Sequence, residues 1–305
     1  MKKPLILAVA AMALTAGAQA ETKFYGKMNV SVNYSDTDPT LSLASNASRI
    51  GVKGSEDLGS TKVVYQAEYE TDIDGDSTDT DGDSLPFKQR DSYIGLAYEG
   101  MGTVKMGIMD TPLKKSQGKF DLFNDVFDIK SVLDGEKRLP NTINYTSEQF
   151  GAIQASVSYV MMEDATGVAD DGVSASLVFK EGDIYAAVAV DSKTEDADTS
   201  TVRLTALYTM GDMRFGALVN TVDASDTNDA ELGFAVNASM TMGKNTAKVQ
   251  FASSDQSSLG ETSLSFGVDH KLAKSTKAYA YINLEDADAA NSDMTKAAFG
   301  LEHKF

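Results

Sequence analysis

Few of the side chains that carry covalent or acid–base chemistry occur in this 305-residue chain. It has no cysteine, which excludes a disulfide framework, a thiol nucleophile and a thiolate metal site. His270 and His303 are its only imidazoles. Neither stands with a Ser and an Asn or Asp in an arrangement that reads as a triad. The expectation is a protein that is not an enzyme and holds no resident cofactor.

Carboxylates are plentiful instead. Asp72, Asp74, Asp76, Asp79, Asp81 and Asp83 crowd one segment, and carboxylate oxygens suit hard cations. The spacing is not that of an EF-hand, because neither Gly75 nor Gly82 is the sixth residue of a loop with Glu at the twelfth. Composition leaves the readings open: weak Ca2+ or Mg2+ binding, or bridging to lipopolysaccharide phosphates, or a plain solvated acidic loop. The whole chain has 45 Asp and Glu against 27 Lys and Arg, a formal charge of -18. That balance lacks the positive field that nucleic-acid phosphates require, so no nucleic-acid partner is expected. With 12 Tyr and 13 Phe, it also has more aromatic surface than a disordered acidic chain carries.

The first twenty residues follow the secretory pattern: Lys2 and Lys3, an apolar run from Leu5 to Leu14, then Ala18-Gln19-Ala20. Residues 1–20 are therefore expected to be a signal peptide, leaving 21–305 as one exported domain. Beyond Ala20 no window approaches the roughly 18 to 20 consecutive apolar residues of a spanning helix. The exported chain is thus either soluble or a membrane β-barrel.

Alternation decides between them. Phe24, Gly26, Met28, Val30, Val32 and Tyr34 share one parity, and Tyr25, Lys27, Asn29, Ser31 and Asn33 the other. A strand with its two faces in different solvents has this period. Similar segments follow at 49–54, 61–71, 88–99, 103–110, 141–147, 152–162, 173–180, 183–191, 201–210, 213–222, 230–240, 246–253, 261–269, 276–284 and 294–305. Tight turns, such as Glu181-Gly182 and Gly211-Asp212, alternate with long polar loops, such as 72–86 and 163–171. An outer-membrane barrel distinguishes its periplasmic from its extracellular rim in this way. The predicted fold is all-β, a transmembrane sixteen-stranded antiparallel β-barrel. A soluble β-sandwich would also alternate, but its inner faces would have to be apolar.

Alternation also aims two cations. Lys27 lies opposite Met28 and Val30, and Arg49 shares parity with Lys53 against Ile50 and Val52. A charge facing mid-bilayer lipid costs about 2 to 4 kcal/mol, so both are expected to face the lumen. One connection is anomalous. Residues 111–140 mix Leu113, Phe120, Leu122, Phe123, Val126, Phe127, Ile129, Val132 and Leu133 with charge, which a loop surrounded by water has no reason to do. This segment is expected to be ordered against a wall, with short helical turns around 120–129.

Four stretches resemble the general porins of Gram-negative outer membranes, a resemblance that spans the mature chain. They are Tyr25-Gly26-Lys27, the run from Ser48 to Gly59, the run from Arg138 to Tyr145, and the terminal Phe305 with Phe299, Leu301 and His303 on its parity. The resemblance implies a homotrimer of sixteen-stranded barrels in the outer membrane, each narrowed by an inward-folded third loop, here 111–140. It implies basic residues on one wall, at Lys27, Arg49, Arg90 and Arg138, facing acids on that loop. Asp121, Asp125 and Asp128 are the candidates, although some could cap helical turns instead. Arg90 shares parity with Ser92 but also with Ile94 and Leu96, and Arg138 is placed in the loop exit. The Pro-Glu-Phe-Gly-Gly loop tip of enterobacterial members is absent, which leaves the pore-facing carboxylate open. The resemblance further implies outer-membrane lipid, lipopolysaccharide, periplasmic chaperones and the barrel-assembly machinery as partners, with Phe305 as the assembly signal. The function expected is passive diffusion of ions and small hydrophilic solutes. The alternatives are a substrate-preferring channel on the same fold and a secreted, soluble β-rich binding protein.

Overall fold

The period-two segments form strands throughout. The computed structural model describes residues 20–75, 87–162, 171–194, 199–224, 230–255, 262–286 and 293–305, so the expected leader lies outside them except for Ala20. The first strands are β1 (Ala20–Ser35), β2 (Leu41–Ser45), β3 (Arg49–Asp57), β4 (Thr61–Glu70), β5 (Lys88–Tyr98) and β6 (Gly102–Asp110). A long connection leads to β7 (Arg138–Ser147), β8 (Ile153–Val160), β9 (Gly172–Glu181), β10 (Ile184–Ser192), β11 (Thr199–Met210) and β12 (Met213–Ala224). The chain ends with β13 (Glu231–Met242), β14 (Asn245–Ser254), β15 (Thr262–Ala273), β16 (Thr276–Asp286) and β17 (Met294–Lys304).

All pairings are antiparallel, and β17 returns to pair with β1 from Lys27↔Lys304 to Ser35↔Lys296. β2 and β3 both pair with β1, as two halves of one stave broken at Asn46-Ala47-Ser48, where Ala47 has φ 49°. Seventeen segments less this one division give sixteen staves, the expected number. The half-stave β2 escaped the sequence reading because it is five residues long and precedes a left-handed break. The reading also placed Arg138 in a loop, whereas it is the first residue of β7 and pairs with Asp110. A bulge explains the difference. Gly107 faces Thr142 but Met109 faces Leu139, so β7 holds an extra residue around Asn141, whose φ is 50°.

The two faces differ as the alternation requires. In β11, Val202, Leu204 and Tyr208 are exposed while Thr201, Arg203, Thr205 and Leu207 are buried. Asn29, Ser31, Ser158, Asn220, Gln250 and Asn283 are likewise buried polar residues, with large apolar side chains alternating outward. An apolar exterior of this extent suits a hydrocarbon solvent, and a closed sheet leaves no edge unpaired within it. No helix among the described residues is long and apolar enough to cross a membrane, so crossing falls to the strands.

Closure is completed by the last residue. Gly26 N donates to Phe305 O at 3.0 Å and Phe305 N to Gly26 O at 3.1 Å. The Phe305 ring fills the space where a side chain on Gly26 would stand, and its centroid lies 6.0 Å from that of Phe24.

The connection between β6 and β7 is ordered, as its apolar content requires. It begins with the helix α1 (Pro112–Ser116), and the helical turns expected around 120–129 follow, with Phe127 N donating to Phe123 O at 3.0 Å and a 3-10 turn at Ile129–Ser131. Thr111 caps this helix by accepting from Lys114 N, and Pro112 opens it, so the start signal lies upstream of the apolar run. Phe120, Ile129, Val132 and Leu133 pack with Leu207, Leu218, Ala235 and Ala252, while Phe123 meets Tyr281 edge-on at 5.0 Å.

Leu204, exposed on the apolar face of β11 between Val188 and Val219, tests the orientation. Leu204→Arg should lose about 2 to 4 kcal/mol of folding free energy in urea titrations in lipid vesicles. Unchanged stability would place this face away from lipid.

Candidate functional site

The four expected basic residues converge on one stretch of wall. Lys27 and Arg49 are direct cross-strand neighbours on β1 and β3. Two like charges side by side are unfavourable unless carboxylates separate them, and here they do. Lys27, only 3% exposed, forms an ion pair with Asp125 of the long connection. Arg49 Nε lies 3.9 Å from Glu68 Oε1, and Arg90 Nε reaches the same oxygen at 2.7 Å. Arg90 also pairs with Glu70, and Tyr25 donates its hydroxyl to Glu68 Oε2 at 2.9 Å. Arg138 joins the set through Asp91 at 2.6 Å and Asp110 at 2.9 Å.

A bulge also resolves the ambiguous parity of Arg90. Ala67 faces Ser92 but Tyr69 faces Gln89, so Arg90 and Asp91 together oppose Glu68. The extra residue brings both side chains to the polar side, while Ile94 and Leu96 keep the opposite orientation. Strict alternation could not have shown this.

The three connection aspartates divide by role. Asp125, at φ 72°, is the one that reaches the basic wall. Asp121 accepts from Phe123 N at 3.0 Å, Ile129 N at 3.1 Å and Gln250 Nε2 at 2.9 Å, which holds the connection in shape and against β14. Asp128 caps the 3-10 turn Ile129–Ser131 by accepting from Lys130 N at 3.0 Å. The wall carboxylates Glu68, Glu70, Asp91 and Asp110 were missed by sequence reasoning. Glu68 and Glu70 did carry a signal, since they share parity with Gln66 against Ala67 and Tyr69.

Opposite this cluster, the connection is fixed by buried polar contacts. Arg203, fully buried on β11, reaches Glu136 at 2.7 Å and the carbonyl of Asp134, and the Asn220 amide donates to that carbonyl at 3.1 Å. Burial pushes the Glu136 carboxyl up from its ordinary value, and the Arg203 guanidinium opposes that shift. Lys248 Nζ donates to Leu122 O at 2.7 Å and lies over the rings of Phe123 and Tyr281. The acidic 72–83 segment is described only at its base, where Asp74 accepts from Ser45 N at 2.6 Å. Asp76, Asp79, Asp81 and Asp83 lie outside the described residues.

A closed β-barrel with an apolar exterior, a polar interior and charges gathered on one inner wall is an outer-membrane channel. A sequence model of the Gram-negative porins matches residues 7–290, and the chain belongs to that family. Among its relatives, the major outer membrane protein P.IB of Neisseria meningitidis serogroup B is 25% identical over the full length of both chains. The P.IB protein of Neisseria gonorrhoeae is 26% identical over 100% of this chain and 90% of its own. An anion-selective porin from Comamonas acidovorans has the same fold, with a TM-score of 0.81 at 21% identity over 94% of this chain and 100% of its own. OmpF of Salmonella typhi gives 0.76 at 15% over 93% and 97%. OmpT of Vibrio cholerae in a trimer form gives 0.71 at 16% over 94% and 100%. The chain is thus a porin of the outer membrane, a transport protein of a family and fold known as non-enzymatic channels, and the soluble alternative falls away.

Arg203→Met leaves Glu136 buried without its cation. Breaking a buried pair from one side costs about 3 to 5 kcal/mol. The variant should show that loss in vesicle denaturation, together with noisier single-channel current as the connection loosens. Quiet current at full stability would mean that Arg203 does not anchor it.

Proposed function

We propose that the chain is a trimeric general diffusion porin whose third connection folds inward and narrows the channel between Asp125 and the wall of Lys27, Arg49, Arg90 and Arg138. The observation that carries this reading is the Lys27–Asp125 pair, which joins the tip of the connection to β1 while its remainder packs on β9 to β16. Trimerisation is supported by the trimeric form of the Vibrio cholerae neighbour. Residues 1–20 act as the export leader, and Phe305 at the closing seam serves as the assembly signal.

The constriction is close to charge balance. Five cations, Lys27, Arg49, Arg90, Lys114 and Arg138, meet five carboxylates, Glu68, Glu70, Asp91, Asp110 and Asp125. Every arginine in it has a carboxylate within 4 Å, so none presents an unmatched charge to a passing ion. Together with the acidic outer loops, this gives weak selectivity with a lean toward cations.

Reversal potentials in a salt gradient test the reading. Glu68→Gln, which unmatches Arg49 and leaves Arg90 on Glu70 alone, should move selectivity toward anions. Neutral substitutions at Arg49 and Arg138 should move it toward cations. If neither moves, these residues do not line the narrowest section.

Catalysis plays no part in this function. His270 and His303 bond to Asn245 at 2.6 Å and Thr276 at 2.8 Å on exposed strand ends. A variant lacking both histidines should give wild-type conductance steps in planar bilayers, and lost conductance from a folded barrel would contradict this.

A further inference from the structure

A second charged region lies away from the constriction cluster. Between the connection and the short-turn rim is a cavity of about 710 Å³, lined by strands β11 to β17 and by residues 117–124. Lys119, Arg214, Lys248, Lys277 and Lys304 line it, against Asp121, Asp212 and Asp269. Five cations to three carboxylates is the reverse of the chain's overall balance. The carboxylates are also largely committed. Asp269 is shared by Lys248 and Lys277, each at 3.2 Å, and takes the Tyr281 hydroxyl as well. Asp121 is held by the three N–H donors already described.

Two of the cations are left without such partners. Arg214 donates from Nη2 to the neutral carbonyl of Lys119 at 2.7 Å, and its Nε has no acceptor. Neither Arg214 nor Lys119 has a carboxylate within 4 Å among the described residues. A guanidinium whose one acceptor is a neutral carbonyl carries a charge that no carboxylate offsets, and an oxyanion is the ligand that offsets it. Ser239, Thr241 and Thr246 add hydroxyl donors to the same lining.

We infer that this cavity is an anion-binding station on the short-turn side of the channel, taking small multivalent oxyanions, with Arg214 and Lys119 as the principal contacts. It gives the pore a resting place for solute phosphates or carboxylates, separate from the near-neutral cluster at Lys27 and Arg49. The inference rests on the chain being an open channel, which steps in KCl alone test independently.

The experiment is planar-bilayer conductance in KCl with inorganic phosphate added to one side at a time. Phosphate on the short-turn side should lower the current saturably, and phosphate on the long-loop side should act more weakly. Arg214→Gln should raise the half-blocking concentration about tenfold, the weight of one charge-assisted hydrogen bond, with KCl steps unchanged. Lys119→Gln, on the connection and not on a strand, should act in the same direction and serves if Arg214→Gln fails to fold. Lys244→Gln, in a rim turn outside the cavity, should leave the block unaltered. Absence of saturable block, equal block from both sides, or an equal effect of Lys244→Gln would overturn the inference, the last by assigning the effect to a diffuse rim field.

Discussion

No water reaches the hydrocarbon of a bilayer, so every backbone N–H and C=O that crosses it must find its partner within the chain. A sheet meets that demand only if it closes, and the seam between β1 and β17 is where closure is decided. Nine residue pairs from Lys27↔Lys304 to Ser35↔Lys296 join the ends of the chain, and the reciprocal bonds between Gly26 and Phe305 extend the ladder to the last residue. The glycine is part of this device, because the Phe305 ring occupies the room that any Cβ would need. Sequence ends that are far apart in number thereby become one continuous wall.

Closure fixes the inside as firmly as the outside. Once alternate residues face lipid, the others face a common interior, and their polarity has to be matched there. Small amides and hydroxyls bond one another across strands, as Asn283 does with Ser263 and Ser265. The charged residues need partners from further away, and the long connection supplies several of them. It gives Asp125 to Lys27, Glu136 to Arg203 and a backbone carbonyl to Lys248. Its own apolar side chains rest on Leu207, Leu218, Ala235 and Ala252, apolar residues set among polar ones on the inner face. The connection and the wall are therefore complementary in both apolar and ionic contacts.

How much of this could be read from sequence depends on whether the governing pattern is local. Strand alternation, turn chemistry and the length rhythm of the loops are local, and they gave sixteen staves and the lumen-facing directions of Lys27 and Arg49. The anomalous apolar content of 111–140 was local too, and it correctly implied order. What escaped were the breaks in period. Bulges at Arg90-Asp91 and near Asn141 shift parity by one residue, and nothing in composition marks them before the partner strand is known. The division of labour among Asp121, Asp125 and Asp128 was hidden for a different reason. Whether a loop carboxylate caps a turn or crosses to a wall depends on backbone geometry, and Asp125 reaches Lys27 from a left-handed conformation that sequence does not announce.

The arrangement of charge also separates two quantities that net charge conflates. The chain is strongly acidic, yet salt screens exposed charge within about 8 to 10 Å. Inside, a cation and its carboxylate a few ångströms apart cancel at long range but leave a strong local field between them. An ion threading the channel responds to that local field and to whichever charges remain unmatched. At the Lys27 to Arg138 wall each arginine has a carboxylate within 4 Å. At Arg214 and Lys119 no carboxylate lies within 4 Å among the described residues, so the same acidic protein presents uncompensated positive charge on the opposite side of the interior. Selectivity in such a channel follows from which charges the fold leaves unpaired, and the total charge of the chain is a poor guide to it.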